Sequence, residues 1–251
     1  MANGAEGGEL AGSVAIVTGS ARNIGRAIAL KLAAQGAAVV VHARSSRGDV
    51  EAVVAEIEGR GGRAASHLGD LGDPEAARAL VAAAVERFGR LDILVNNAAL
   101  RRDAPIEEIS AQDWTDVMRS ILDATFYCCQ AAIPHLSAGG QGAIVNIAGV
   151  AAHSGIGGRA HVVAAKSGVV GLTRGLAAEL AGRGVTANCI SPGYIDTKRD
   201  HVPPHFQERP VPLGRPGTPD EVAAAALYLC GPSGRFVTGH TLHLNGGWFM
   251  G

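Results

Sequence analysis

A single α/β domain, with a doubly wound parallel sheet flanked by helices, is the fold this sequence predicts. Three observations lead there: apolar runs of strand length, segments of helical spacing between them, and glycine turns where strand passes to helix. Val14–Thr18 is an apolar run ending at a glycine, as a central strand covered on both faces requires. Ile24–Gln35 follows with Ile24, Ala27, Ile28 and Leu32 on one helical face and Gly36 as C-cap. Ala38–Ala43 reads as the second strand and Asp49–Glu58 as the second helix. Ala64–Leu68 is the third strand, and the helix Pro74–Phe88 starts on a proline, which suits a first turn. Ile93–Asn96, Ala143–Ile147, Val185–Ile190 and Thr241–Leu244 complete the strands, separated by helices over Asp113–Leu136, His161–Leu180 and Pro219–Cys230. The alternation has no repeats, so residues 13–251 are expected to form one domain behind a flexible tail over residues 1–12. Pro192–Thr218 holds six prolines and no periodicity, the signature of a binding loop.

Composition narrows the function. At 251 residues and 47% hydrophobic content the chain can bury one large core. A net charge of −1 with scattered basic residues offers no footprint for nucleic acid or a membrane surface. No apolar run reaches membrane-spanning length, and the Gly-rich start lacks the pattern of a secretory signal. Cys128, Cys129, Cys189 and Cys230 show no CxxC spacing, so reduced, mostly buried thiols in a cytoplasmic protein are expected.

Four motifs stand in order along this frame. Thr18-Gly19-Ser20-Ala21-Arg22-Asn23-Ile24-Gly25 follows the first strand, and Asn96-Asn97-Ala98-Ala99 the fourth. Ser191-Pro192-Gly193-Tyr194-Ile195-Asp196-Thr197 follows the sixth, and the chain ends through Thr238-Gly239-His240-Thr241-Leu242-His243-Leu244-Asn245-Gly246-Gly247. Together these resemble the short-chain dehydrogenase/reductases, in particular the 3-oxoacyl-carrier-protein reductases, from about Ser13 to Gly251. The resemblance implies a Rossmann-type fold, a nicotinamide cofactor, a small-molecule substrate and a homotetramer. Its subunits would meet through the helices Asp113–Leu136 and His161–Leu180 and the C-terminus.

The cofactor half is nearly intact. Gly19 and Gly25 let a strand turn sharply into a helix whose N-terminal amides face a pyrophosphate. Asn23 stands where the family usually has glycine, and asparagine tolerates positive φ better than most residues. NAD-binding enzymes commonly carry an acid at the end of the second strand. His42-Ala43-Arg44-Ser45-Ser46 has none there, and Arg22, Arg44 and Ser45 suit a 2′-phosphate, so NADP(H) is expected over NAD(H). The resemblance further implies Ser20, Ile24, Asp70, Leu71, Asn97, Ala98, Pro192, Gly193, Ile195 and Thr197 as cofactor contacts, and Lys166 for the nicotinamide ribose. Asn96 would chiefly tie strands together.

The catalytic half has been dismantled. Ketone reduction leaves negative charge on an oxygen, which the family protonates from a tyrosine assisted by lysine, serine and asparagine. General acid–base help of this kind is worth about 10² to 10⁴ in rate. The tyrosine position, four before Lys166, is Val162; the serine position is Gly149; the asparagine position is Ile121. None offers a side-chain proton donor. Only Lys166 remains, and no tyrosine lies between Tyr127 and Tyr194. His153, His161 and Tyr194 are the candidate replacement acids, histidine because it titrates near neutrality. Neighbours on a helix point about 100° apart, so His161 need not face the site that Val162 faces. Arg159 and Arg101-Arg102-Asp103 are candidates for an anionic substrate. His201-Val202-Pro203-Pro204-His205 is not a metal site, because its prolines forbid the helix that would align the histidines and no carboxylate or cysteine completes it. Trp114 and Phe126 read as core or interface.

Three functions remain open on this evidence. One is an NADP(H)-dependent oxidoreductase with an atypical site. The second is a lyase, isomerase or hydrolase on the same fold using His153 or His161. The third is a nucleotide-binding regulator or a structural partner in a mixed oligomer. Ile121, Gly149 and Val162 could also form an apolar pocket for a greasier ligand.

Overall fold

The strands that the apolar runs predict are the buried centre of the molecule. A computed structural model describes residues 8–197, 206 and 209–251. In it Val14–Val17 (β1), Ala38–Ala43 (β2), Arg63–Leu68 (β3), Ile93–Asn96 (β4), Ala143–Ile147 (β5), Thr186–Pro192 (β6) and Thr241–Leu244 (β7) form one sheet. Their order is β3-β2-β1-β4-β5-β6-β7 and every pairing is parallel. Every residue of β1, β2, β4, β5 and β6 is buried, which is why β1, β2, β4 and β5 are mostly apolar rather than alternating.

Helices cover both faces. Asn23–Ala34 (α1), Arg47–Gly59 (α2) and Pro219–Cys230 lie on one side, where Ile28, Leu32, Val53 and Val222 pack on Ala15, Val17 and Val39. Pro74–Phe88 (α3), Ala111–Met118 (α4), Ala124–Ala138 (α5), Ala151–Ser154 (α6) and Ala160–Leu180 (α7) precede that last helix, which is therefore α8. On the second side Leu80, Ala132 and Leu180 meet Ile16, Leu94 and Ile144. Successive β1 residues thus serve opposite cores, as the two-residue strand period dictates. The chain leaves β1 towards β2 on one side and later places β4 on the other. This reversal opens a crevice beyond the strand ends.

Local chemistry explains the ends of these elements. Asp73 accepts from the Glu75 N–H at 2.9 Å ahead of Pro74, and Gly89 closes α3 at φ 84°. Thr218 and Glu221 cap α8 reciprocally. Thr218→Ala is expected to lower stability by about 1 kcal/mol in a urea melt. An unchanged midpoint would mean that the cap contributes nothing.

The long helix expected over Asp113–Leu136 is present and carries one widened turn. It begins at Ala111, widens into a π turn over Arg119–Asp123 and resumes as α5. The Thr125 hydroxyl donates to the Ile121 carbonyl at 2.6 Å at that turn. Trp114 and Phe126 on these helices are 46% and 44% exposed, so neither is a core residue. The sixth strand starts one residue later than expected and runs on to Pro192. Of the expected N-terminal tail, residues 8–12 lie on the domain, with Leu10 buried and its N–H donating to the Gln35 carbonyl at 2.9 Å. The expected loop over 192–218 is pinned at its base by a bridge between Ile195 and Gly217. The His201–His205 motif lies outside the described residues, among which no cluster of three or more His, Cys, Asp or Glu is placed to hold a metal. No helix among them is long and apolar enough to cross a membrane.

Candidate active site

The crevice at the switch point is a cleft of about 520 Å³. Gly19, Arg22, Asn23, Ile24, Gly25, Arg44, Ser45, Asp70, Leu71, Asn97, Ala98 and Thr197 line it together, from five separate stretches of chain. Two glycines shape its floor. Gly19 has φ 62°, and a β-carbon there would lie 2.9 Å from the Ala98 Cα. A β-carbon on Gly25 would come within 2.3 Å of the Gly19 carbonyl oxygen and 2.5 Å of Asn97 Nδ2. Asn23 has φ 51° and is the one non-glycine residue with positive φ among those described. A backbone this close to the surface, ahead of the N-terminus of α1, is a cradle that fits a pyrophosphate.

Polar ties hold the cleft open. The Thr18 hydroxyl accepts from the N–H groups of Asn97 and Ala98 at 2.9 and 3.0 Å, and Asn97 Nδ2 donates to the carbonyls of Thr18 and Gly19. Asn97 is therefore a strut of the wall as well as part of its lining. Asn96 ties strands as expected: its Nδ2 donates to Asn146 Oδ1 at 2.9 Å, and Asn146 Nδ2 donates to the Thr173 hydroxyl. Ser20 is fully buried, with its hydroxyl donating to the Val17 carbonyl and accepting from the His42 N–H. Its side chain is thus spent inside the fold rather than offered to a ligand. Arg22 and Arg44 form no ion pair among the described residues, which leaves both guanidinium groups to the cleft. Pro192, Gly193 and Ile195 stand outside this lining, with Ile195 buried and the Gly193 N–H donating to the Leu244 carbonyl.

Sequence reasoning passed over His42. It is buried and lines the cleft, with Nδ1 accepting from the Gly19 N–H at 3.2 Å and Nε2 3.0 Å from the Gly69 carbonyl. Burial lowers its pKa to about 4. The available signal was a lone polar residue inside the run Ala38-Val39-Val40-Val41-His42-Ala43.

The side where the resemblance expects catalysis presents mostly carbon. Ile121 and Val162 belong to one buried cluster with Val117, Ala165 and Val169. Leu100, Met118 and Leu122 pack against this cluster. Gly149 lies apart and is half-buried, and among the described residues a β-carbon on it would meet only the Pro192 carbonyl at 3.9 Å. Lys166 is buried one turn after Val162, and its Nζ donates to the Ile147 carbonyl at 2.5 Å. Burial, aided by the charge of Arg101, pushes its pKa down to about 7. The unfolded chain keeps that proton up to the ordinary lysine range. Stability should therefore rise as pH climbs from about 7 towards 10. Lys166→Met is expected to raise the urea midpoint at pH 7 and to flatten this rise. An equal pH slope in both proteins would rule out Lys166 as its source.

The candidate replacement acids scatter. His161 is fully buried with neither ring nitrogen hydrogen-bonded. The His153 ring sits 4.5 Å from His243 and 5.5 Å from Phe249, beside the edge strand β7. Burial and the charges of His243 and Arg174 lower its pKa, which disfavours the protonated form an acid needs. Tyr194 stacks on Phe206 at 4.8 Å. Arg159 is paired with Asp103 at 2.6 Å, and Arg102 with Asp113 and Asp116. Their charges are thus met within the chain rather than held for an anion. Arg101 alone of this group lines the cleft. All four cysteines are buried and outside any disulfide, and burial raises each thiol pKa.

Comparison with known proteins agrees with this geometry. A family profile described as Enoyl-(Acyl carrier protein) reductase matches residues 19–249. The 3-oxoacyl-[acyl-carrier-protein] reductase FabG of Staphylococcus aureus is 38% identical over 240 residues, covering 94% of this chain and 98% of that protein. The (2S)-[(R)-hydroxy(phenyl)methyl]succinyl-CoA dehydrogenase subunit BbsD of Thauera aromatica is 40% identical over 238 residues, covering 93% and 95%. A crystal structure of a short chain dehydrogenase from Burkholderia cenocepacia J2315 in complex with NADP superposes with a TM-score of 0.91 at 37% identity, covering 96% of this chain and 99% of that one. With its parallel sheet, glycine cradle and full-length relatives, the chain belongs to the short-chain dehydrogenase/reductase family of oxidoreductases, whose members bind a nicotinamide cofactor.

Proposed function

We propose that this protein is an NADP(H)-dependent oxidoreductase whose site works without the tyrosine acid of its relatives. The observation that carries the reading is the cleft itself: Arg22 and Arg44 stand in its wall, and the β2 end carries no carboxylate. A 2′-phosphate there accepts charge-assisted hydrogen bonds, whereas a ribose hydroxyl gains little from guanidinium groups. The bound nicotinamide supplies or removes a hydride. The chain's own part is to orient it, with Lys166 near the end of β5 as the surviving polar side chain of the usual set. The relatives named for 3-oxoacyl and hydroxyacyl thioesters support a substrate of that class, in which a carbonyl or alcohol lies β to a thioester. A homotetramer in the cytoplasm, formed through α4, α5 and α7, completes the proposal; the half-exposed Trp114 and Phe126 on two of those helices support it.

Titration with NADPH and NADH, read by nicotinamide fluorescence, tests the reading. NADPH should bind at least tenfold more tightly. Arg44→Ala should cost NADPH about 1.5–3 kcal/mol, a factor of about 10 to 150, and leave NADH nearly unchanged. Equal affinity for the two cofactors, or no binding of either, would remove NADP(H) from the proposal.

A further inference from the structure

We propose that His42 is a positioning residue of the dinucleotide cleft, an imidazole strut that sets the glycine turn against the β3–α3 turn around the adenosine half of the cofactor. The inference rests on the reading of the cleft as a dinucleotide site, and it concerns a residue whose side chain serves backbone rather than ligand. His42 is the fifth residue of β2, where its neighbours Val41 and Ala43 are plain strand residues of the core. Its ring spans two loops that are each also tied to the end of β2 by backbone, through Ser20 N–H to the His42 carbonyl and Gly69 N–H to the Ala43 carbonyl. On one side Nδ1 accepts from the Gly19 N–H at 3.2 Å; on the other Nε2 lies 3.0 Å from the Gly69 carbonyl oxygen.

The backbone of His42 adds to this tie. Its carbonyl accepts from the Ser20 N–H at 2.8 Å, and its N–H donates to the Ser20 hydroxyl at 2.9 Å. Gly19, His42 and Gly69 all line the cleft, so the strut forms part of the wall it supports.

Only one form of the ring meets both partners. A carbonyl oxygen needs a donor, so Nε2 carries the proton; an N–H needs an acceptor, so Nδ1 is bare. Protonation would turn Nδ1 into a donor facing the Gly19 N–H and break the strut at the glycine turn. The surroundings favour the neutral ring: burial and the charge of His67, its register partner on β3, work against protonation more than the Gly69 carbonyl and Asp70 work for it. The strut also commits the Gly19 N–H to histidine. Phosphate binding is then left to the amides further along, at the start of α1.

The side-chain geometry orders three variants. His42→Asn keeps an acceptor at the Nδ1 position and loses the reach to Gly69. His42→Gln keeps a donor near the Nε2 position and loses the short acceptor. His42→Leu loses both.

The experiment measures the affinity of each folded variant for NADPH and for 2′,5′-ADP, which carries the adenosine half alone. It is paired with nitrogen-15 spectra of the His42 ring between pH 5 and 8. The expected result is a loss of about tenfold or more for both ligands in His42→Leu, with recovery to within about threefold in His42→Asn. The wild-type ring should show the neutral Nε2–H tautomer throughout most of that range, and the Gly19 amide should be slow to exchange. Unchanged affinity in His42→Leu, with only a lower melting temperature, would overturn the proposal, since the residue would then be purely structural. A ring that carries its proton on Nδ1, or titrates near 6.5, would overturn it as well. Should wild-type protein bind neither ligand, the dinucleotide reading fails and His42 has no ligand to position. That outcome differs from failure of the strut alone, in which wild type and all three variants bind alike.

Discussion

Restoring three polar side chains together, Ile121→Asn, Gly149→Ser and Val162→Tyr, should raise NADPH-dependent reduction of a 3-oxoacyl thioester by about 10² to 10⁴, the usual worth of positioned acid–base groups. The scaffold for the proton donor persists. Position 162 is one helical turn before Lys166, and i,i+4 neighbours share a face of α7. Lys166 is buried and held at the end of β5 by the Ile147 carbonyl. Among the described residues, a β-carbon at position 149 meets nothing closer than 3.9 Å.

The singles should do far less. Val162 is 8% exposed and shares a packed cluster with Ile121, so a tyrosine alone overfills it at a cost of about 1–3 kcal/mol. Replacing Ile121 in the same chain gives back part of that volume. The check is turnover and melting temperature for the singles and the triple. A triple variant that melts as wild type and binds NADPH, yet turns over no faster, would show that the missing groups are not what limits this site.

The second large effect falls on the cradle. Gly25→Ala should abolish measurable NADPH binding and cost about 2–4 kcal/mol of stability, because the new methyl meets backbone rather than a yielding side chain. It would lie 2.3 Å from the Gly19 carbonyl oxygen and 2.5 Å from Asn97 Nδ2, the atom that ties the two strand ends together. Relief requires opening the β1–α1 turn and the β4 loop at once. Gly59→Ala is the control: nothing lies within 4 Å of its β-carbon, and it ends α2 without a positive φ. That change should be neutral or stabilise by up to about 1 kcal/mol. Equal binding in wild type and Gly25→Ala would mean that the cleft holds no pyrophosphate at this turn.

Much of this was legible along the chain because it is local. Strands buried on both faces are largely apolar, so Val14–Val17 and Ala143–Ile147 announce themselves. A turn that needs positive φ restricts its residues, so Gly19 and Asn23 did too. That positions 149 and 162 are glycine and valine needs no coordinates. The π turn at Arg119–Asp123 was invisible, because apolar spacing tolerates one widened turn within a long helix.

The sequence by itself determined the fold class, the order of the motifs and the glycine cradle, all of which follow from residue type and short-range spacing. Only the tertiary structure decided which charges are spoken for and which groups meet. Arg159 and Arg102 find carboxylates 56 and 11 residues away, while Arg22 and Arg44 find none among the described residues. His153 turns to a strand 90 positions further on, and His42 bridges two turns that lie 23 and 27 residues from it. Such partners are chosen by where the sheet places its edges, and a one-dimensional pattern carries no record of that choice.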